Sequence, residues 1–181
     1  MDETRTEIDI LLREYEKCKA EQMVRIAFRD NLVFATLGAY GAIIAFAAKD
    51  NHLALLILPW VSLVLGWGYL VNDEKVSAIG RYLRVDLSNR LAALAGTMKP
   101  EDLFGWEIVH RSDSRRRRRK LEQLAIDMIT FVLSGFVALG MFWIIDPGAQ
   151  CVLKGLVFLE ALLLLALGIE FYNYADLKSG R

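Results

Sequence analysis

Arg115, Arg116, Arg117, Arg118, Arg119 and Lys120 form an unbroken cationic run, and an uncharged apolar stretch, residues 128–145, begins a few residues later. Cations cannot follow that stretch into hydrocarbon, because each costs about 2.5–3.5 kcal/mol at the bilayer centre. An apolar stretch of this length is a candidate for a spanning helix. The pair reads as a polybasic anchor on the cytoplasmic side of a membrane span, and it sets the orientation expected for everything else.

Three more stretches have the same character. Residues 32–48 and 53–71 carry no charge, and residues 151–172 carry Lys154, Glu160 and Glu170. An apolar content of 55% agrees with several spans. Residues 49–52 and the Asp146-Pro147-Gly148 triplet are the polar turns between them. Pro59 falls inside the second stretch and is expected to loosen or kink it, since proline lacks an N–H and crowds the preceding turn. Trp67, Tyr69, Tyr172 and Tyr174 suit an interfacial aromatic belt.

The remaining sequence is polar and helical in pattern. Residues 4–30 hold no Gly or Pro and place Ile8, Leu11, Leu12, Tyr15, Cys18, Met23 and Val24 at helical spacings. They are expected to run directly into the first span as one helix, with about 40 Å standing outside the membrane. Their apolar stripe must be buried on other cytosolic helices or on a neighbouring subunit. Residues 76–95 form a second helical pattern, interrupted at Gly80 and ended by Gly96, with Pro100 preventing early resumption. Residues 103–107 read as a compact aromatic turn, and a further helix is expected from about residue 112 through the basic run.

Lysines and arginines divide unevenly. Residues 1–30 hold six, residues 72–124 hold twelve and the tail holds Lys178 and Arg181, which leaves Lys49 and Lys154 for the opposite side. By the positive-inside rule both termini and the central segment face the cytoplasm. The expected fold is therefore all-α: an integral membrane protein with four antiparallel transmembrane helices and cytosolic helical extensions. Its parts are a cytosolic amphipathic helix (1–30), a first transmembrane hairpin (31–72), a cytosolic helical segment with the basic cluster (73–124), a second transmembrane hairpin (125–173) and a cytosolic tail (174–181). The start of the chain lacks the basic-then-apolar pattern of a secretory signal. On this topology Cys18 and Cys151 lie on opposite sides and cannot pair, and both read as small apolar residues.

The stretches Val71-Asn72-Asp73-Glu74-Lys75-Val76-Ser77-Ala78-Ile79-Gly80-Arg81-Tyr82 and Leu103-Phe104-Gly105-Trp106-Glu107, with His110-Arg111 after them, resemble a group of small bacterial four-span integral membrane proteins of unassigned function. The resemblance covers most of the chain and implies a bacterial inner-membrane protein. The layout also resembles small multi-span membrane effectors of anti-phage systems, in which a cytosolic part controls a membrane part. That likeness is one of architecture.

No enzyme signature is present: no GxSxG, HExxH, P-loop, GxGxxG or CxxC. No cofactor is expected. His52 and His110 fall on opposite sides of the membrane, and His110 with Glu107 and Asp113 reads as a surface cluster. Glu160, near the middle of the fourth span, is the sharpest candidate. A carboxylate at that depth must face other helices or water. It reads either as a pore-lining or proton-linked group or as a neutral acid bonded to a hydroxyl at similar depth, with Tyr40, Ser62 and Ser134 the candidates. Asp127 and Glu170 reach matching depth near the cytoplasmic interface, where an assembly could arrange them as an acidic ring. Ala35 and Ala39, Gly41 and Ala45, and Ser134 and Ala138 are small pairs that allow close helix approach. The basic run serves first as topology signal and contact for anionic lipid. Docking of a nucleotide-like anion comes second and nucleic acid last, because five adjacent arginines on a helix face every direction.

One four-helix bundle this small leaves no lumen, so conduction would need several copies. The expected function is an oligomeric channel-like or membrane-perturbing effector controlled by its cytosolic helical layer. The alternative is a non-conducting scaffold that recruits a cytosolic partner. A proton-coupled exporter ranks third, because such exporters carry their glutamate in the first span and have minimal cytosolic extensions.

Overall fold

The computed structural model describes residues 2–49, 51–96, 99–105 and 115–175, and among these every regular element is helical. Trp106, Glu107, His110, Arg111, Asp113, Lys178 and Arg181 lie outside the described residues. Four helical stretches, Glu3–Ala47, His52–Ala95, Arg116–Ile145 and Cys151–Tyr174, are long and apolar enough to cross a membrane.

The first helix, α1 (Asp2–Ala47), runs 46 residues without a break. It contains no proline to remove an N–H, and Gly38 and Gly41 stay helical within it, so the hydrogen-bond ladder continues from the charged half into the apolar half. After a 3-10 segment, His52–Leu56, the chain enters α2 (Ile57–Tyr82), a π turn over Leu83–Leu87 and α3 (Ser88–Ala95). Pro59 does not kink the span. It stands in the first turn of α2, where helix N–H groups lack intrahelical partners and a missing one costs little. Gly96 ends α3 in the left-handed region at φ 64°, its N–H returning to the Ala92 carbonyl at 3.0 Å.

The second half comprises α4 (Arg116–Asp127), a π turn over Met128–Leu133, α5 (Ser134–Ile145) and α6 (Cys151–Tyr174). Asp146, Pro147 and Gly148 make the turn before α6. At that end of the molecule His52 Nε2 stands 3.7 Å from Asp146 Oδ2, bringing the two short connections together.

Three buried clusters hold the helices. Leu56, Leu139, Phe142, Ala149 and Leu164 form one near the short connections. Tyr69, Leu70, Phe131, Val132, Leu167 and Phe171 form the middle one, where the rings of Phe131 and Phe171 stack at 5.7 Å. The third joins Leu11 of α1 to Leu83, Leu87 and Leu91, flanked by Ile8, Tyr15 and Cys18. Leu11, with Ile8, Tyr15 and Cys18 half-buried around it, is thus covered within the same chain against the end of α2 and α3, whereas Leu12, Met23 and Val24 of the expected stripe are exposed. Phe104 closes this cluster by stacking on Tyr15 at 4.3 Å, and it does so at φ 56°. A left-handed conformation costs a non-glycine residue about 1 kcal/mol or more, which the ring contact offsets.

Between the middle cluster and the one near the short connections the helices touch with no space to spare. A Cβ added to Gly135 would lie 2.8 Å from Leu164 Cδ1, and one added to Gly66 would lie 3.1 Å from Phe131 Cβ.

Candidate functional site

Two polar assemblies are embedded in this apolar frame. The first is built on the π turn over Met128–Leu133. A π turn shifts the helical hydrogen-bond pattern by one residue and leaves carbonyls available to side chains. Thr130 O accepts from Ser134 Oγ at 2.6 Å and from the Tyr40 hydroxyl at 3.1 Å. The Tyr40 hydroxyl also lies within hydrogen-bond distance of Ser134 Oγ at 2.8 Å and of Ser62 Oγ, so these contacts share the three hydroxyl protons. One knot of hydroxyls therefore ties α1, α2 and α5 together, and Ser62 is anchored in turn by donating to the Leu58 carbonyl at 3.0 Å.

Glu160 stands apart from that knot. Its side chain is completely buried, and neither carboxyl oxygen has a hydrogen-bond partner among the described residues. The Trp60 indole faces the carboxyl without completing a hydrogen bond. Tyr40, Ser62 and Ser134, the expected partners at its depth, are bonded to one another instead. Burying a carboxyl without partners costs several kcal/mol, so Glu160 is a cost to the fold and not one of its ties.

The second assembly lies where the charged and apolar parts of the helices meet. Asp73 is its hub. Arg29 Nη1 donates to Asp73 Oδ1 at 2.7 Å, Gln123 Nε2 donates to the same oxygen at 3.4 Å, and Lys120 Nζ stands 3.9 Å from Oδ2. Gln123 also donates to the Tyr69 hydroxyl at 3.2 Å, Arg29 covers the Tyr69 ring at 5.7 Å, and that hydroxyl lies against the Asp127 carboxyl. Arg29 and Lys120 thus face Asp73 and Asp127 there, in an assembly contributed by α1, α2 and α4. Phe171 and Tyr174 of α6 complete the walls of a small cleft beside them.

The residues expected to act together are therefore divided. Asp127 is buried in this second assembly, whereas Glu170 is half-buried and does not line the cleft. Ser134 belongs to the hydroxyl knot. Of the basic run, Lys120 turns inward to Asp73, Arg118 pairs with Glu122 at 2.8 Å on the surface, and Arg115, Arg117 and Arg119 are exposed with Arg116 partly so. Sequence reasoning missed Arg29, Tyr69, Asp73 and Gln123 as a group. Counting from the turns places all four at a similar level, but which side of each helix they occupy is decided by packing. Among the described residues no cluster of His, Cys, Asp and Glu is placed to hold a metal ion.

Compared with protein-family models, curated proteins and solved structures, the chain matches none.

Proposed function

We propose that this chain is a multi-pass protein of the bacterial inner membrane, with antiparallel spans and with both termini and the basic segment on the cytoplasmic side. As an assembly of several copies it lets ions through when its cytosolic helical layer is engaged. The four long apolar helices and the concentration of Lys and Arg in the polar segments support the membrane reading. The contacts of Gln22 with Val76, Arg29 with Asp73 and Tyr40 with Ser62 take ever earlier partners in α2 as α1 advances, which supports the antiparallel reading of this pair.

Glu160 carries the functional reading. A buried carboxyl near the middle of a 24-residue apolar helix, with no hydrogen-bond partner for either oxygen among the described residues, is less stable than leucine would be in its place. Ionisable groups at that depth mark ion and proton pathways. The tight contacts at Gly66 and Gly135 leave one copy without a lumen, so passage needs several copies or a rearranged bundle. Control from the cytosolic side has a mechanical route. The unbroken α1 links Leu11, packed on Leu83 and Leu87, to Tyr40 in the hydroxyl knot, about 44 Å away. Arg115, Arg116, Arg117 and Arg119 rest against anionic headgroups or a nucleotide-like ligand at the inner surface. The architectural likeness to anti-phage effectors supplies the biological setting.

Close packing at the bundle centre favours a second reading, a non-conducting scaffold that recruits a cytosolic partner through α1 and the turn at Leu103. Planar-bilayer recording of purified protein separates the two. Conductance that changes in Glu160→Gln supports the effector reading. A silent bilayer under every lipid and ligand condition leaves the scaffold.

A further inference from the structure

Residues 20–45 of α1 carry two interleaved rows at the alternating three- and four-residue spacing of a coiled coil. One row is Val24, Asn31, Gly38 and Ala45, and the other is Ala20, Ala27, Phe34 and Gly41. All eight positions are exposed, Val24 at 69% and Phe34 at 71%. They lie opposite the side through which Arg25, Arg29 and Tyr40 meet α2. The seam contains no charge until Lys17 and Arg13 end it, and at 1.5 Å per residue it is about 38 Å long.

Its position identifies its occupant. On the membrane reading above, on which this inference rests, Phe34 to Ala45 lie in lipid while Ala20, Val24 and Ala27 lie beyond it in water. Lipid would cover the first part only, and a soluble protein the second part only. A helix that itself crosses the same boundary covers both. Every copy of this chain has the same orientation, so a second α1 meets the first in parallel and at equal depth. We infer that two copies pair through α1, in parallel and in register, with Asn31 of one copy against Asn31 of the other.

The chemistry of the seam suits a like partner. Nothing lies within 4 Å of where a Cβ would stand on Gly38 or Gly41, so two backbones can approach closely there. Asn31 is the seam's single amide, and an amide pair in such a row fixes register, because a shifted pairing would bury it unbonded. The acids bordering the seam are neutralised within their own helix, Glu21 by Arg25 at 2.6 Å and Asp30 by Arg29 at 3.0 Å. Like faces like without uncompensated charge.

The test is cysteine cross-linking in native membranes, in a full-length chain carrying Cys18→Ser and Cys151→Ser. Single cysteines are introduced as Ala20→Cys, Asn31→Cys or Gly38→Cys on the seam, and as Val137→Cys or Phe158→Cys on exposed positions elsewhere. Mild oxidation should yield a covalent dimer from the three seam variants and monomer from the other two. Dimers from Val137→Cys or Phe158→Cys alone would overturn the α1 pairing while leaving assembly, and the proposed conduction, standing. Monomer from all five, with a single-copy mass by native mass spectrometry, would overturn the pairing and the several-copy reading together.

Discussion

Arg29 Nη1 and Asp73 Oδ1 meet at 2.7 Å across α1 and α2, with side chains 21% and 16% exposed. The pair stands where the charged parts of both helices end, and Lys120 and Gln123 bring α4 to the same carboxylate. Removing one member leaves a partly buried charge facing lost partners. Asp73→Asn and Arg29→Ala should each lower stability by about 1–2 kcal/mol, after allowance for solvent screening at this exposure. Thermal unfolding in detergent measures this. The double variant should cost less than the sum of the singles.

Glu160→Leu should do the opposite. Replacing a buried carboxyl that has no hydrogen-bond partner among the described residues with an apolar side chain of similar size should stabilise the protein by about 1–3 kcal/mol. On the effector reading the same change should remove conductance. A less stable Glu160→Leu protein would mean that the carboxyl is bonded and structural.

The glycines differ in a way that size alone can probe. Gly66→Ala sets a methyl 3.1 Å from Phe131 Cβ, an atom held by the backbone, and should cost about 1–3 kcal/mol. Gly140→Ala meets nothing within 4 Å and should be neutral or slightly stabilising, because alanine is the better helix former. Unfolding of the two variants side by side checks both.

At the charged end of α1 Tyr82 donates its phenolic proton to Glu14 Oε1. That hydrogen bond, followed by burial, holds the Tyr82 phenol above its ordinary range. A raised pKa means that the contact stabilises the fold fully below the unfolded tyrosine value of about 10, and that this contribution is lost as pH rises through the folded value. Tyr82→Phe should therefore melt earlier than the parent at pH 8, and the difference should narrow in strongly alkaline buffer. A difference independent of pH would assign the effect to packing.

Much of the helical order is legible in the residues themselves. The absence of Gly and Pro over residues 4–30 announces a long helix, Gly96 announces an end, and Asp146-Pro147-Gly148 announces a turn. These are local backbone preferences. Pro59 inside an apolar run suggests a kink, but a 3-10 segment precedes it, so the helix begins later than the apolar run does. Depth can be counted from the turns, and it sets Tyr40, Ser62 and Ser134 at one level. Direction cannot. The three hydroxyls point to one another and to Thr130 O, while Glu160 points elsewhere. Pairing of Arg29 with Asp73, and burial of Leu11 on Leu83, depend on rotation of one helix against another and leave no mark in either segment alone.

The central claim is that the apolar helices cross a membrane with the basic material inside, and a pair of thiols tests it most directly. Cys151 is exposed beside the short connections and serves as it stands. The Cys18 thiol is pushed up by burial and by Glu14 and Glu21, which slows its labelling, so exposed Lys17→Cys in a Cys18→Ser background is the better inner reporter. In intact cells a membrane-impermeant maleimide should label Cys151 at once, and should reach the cysteine introduced at position 17 only after permeabilisation. Labelling of both from the same side of the intact membrane would contradict the account.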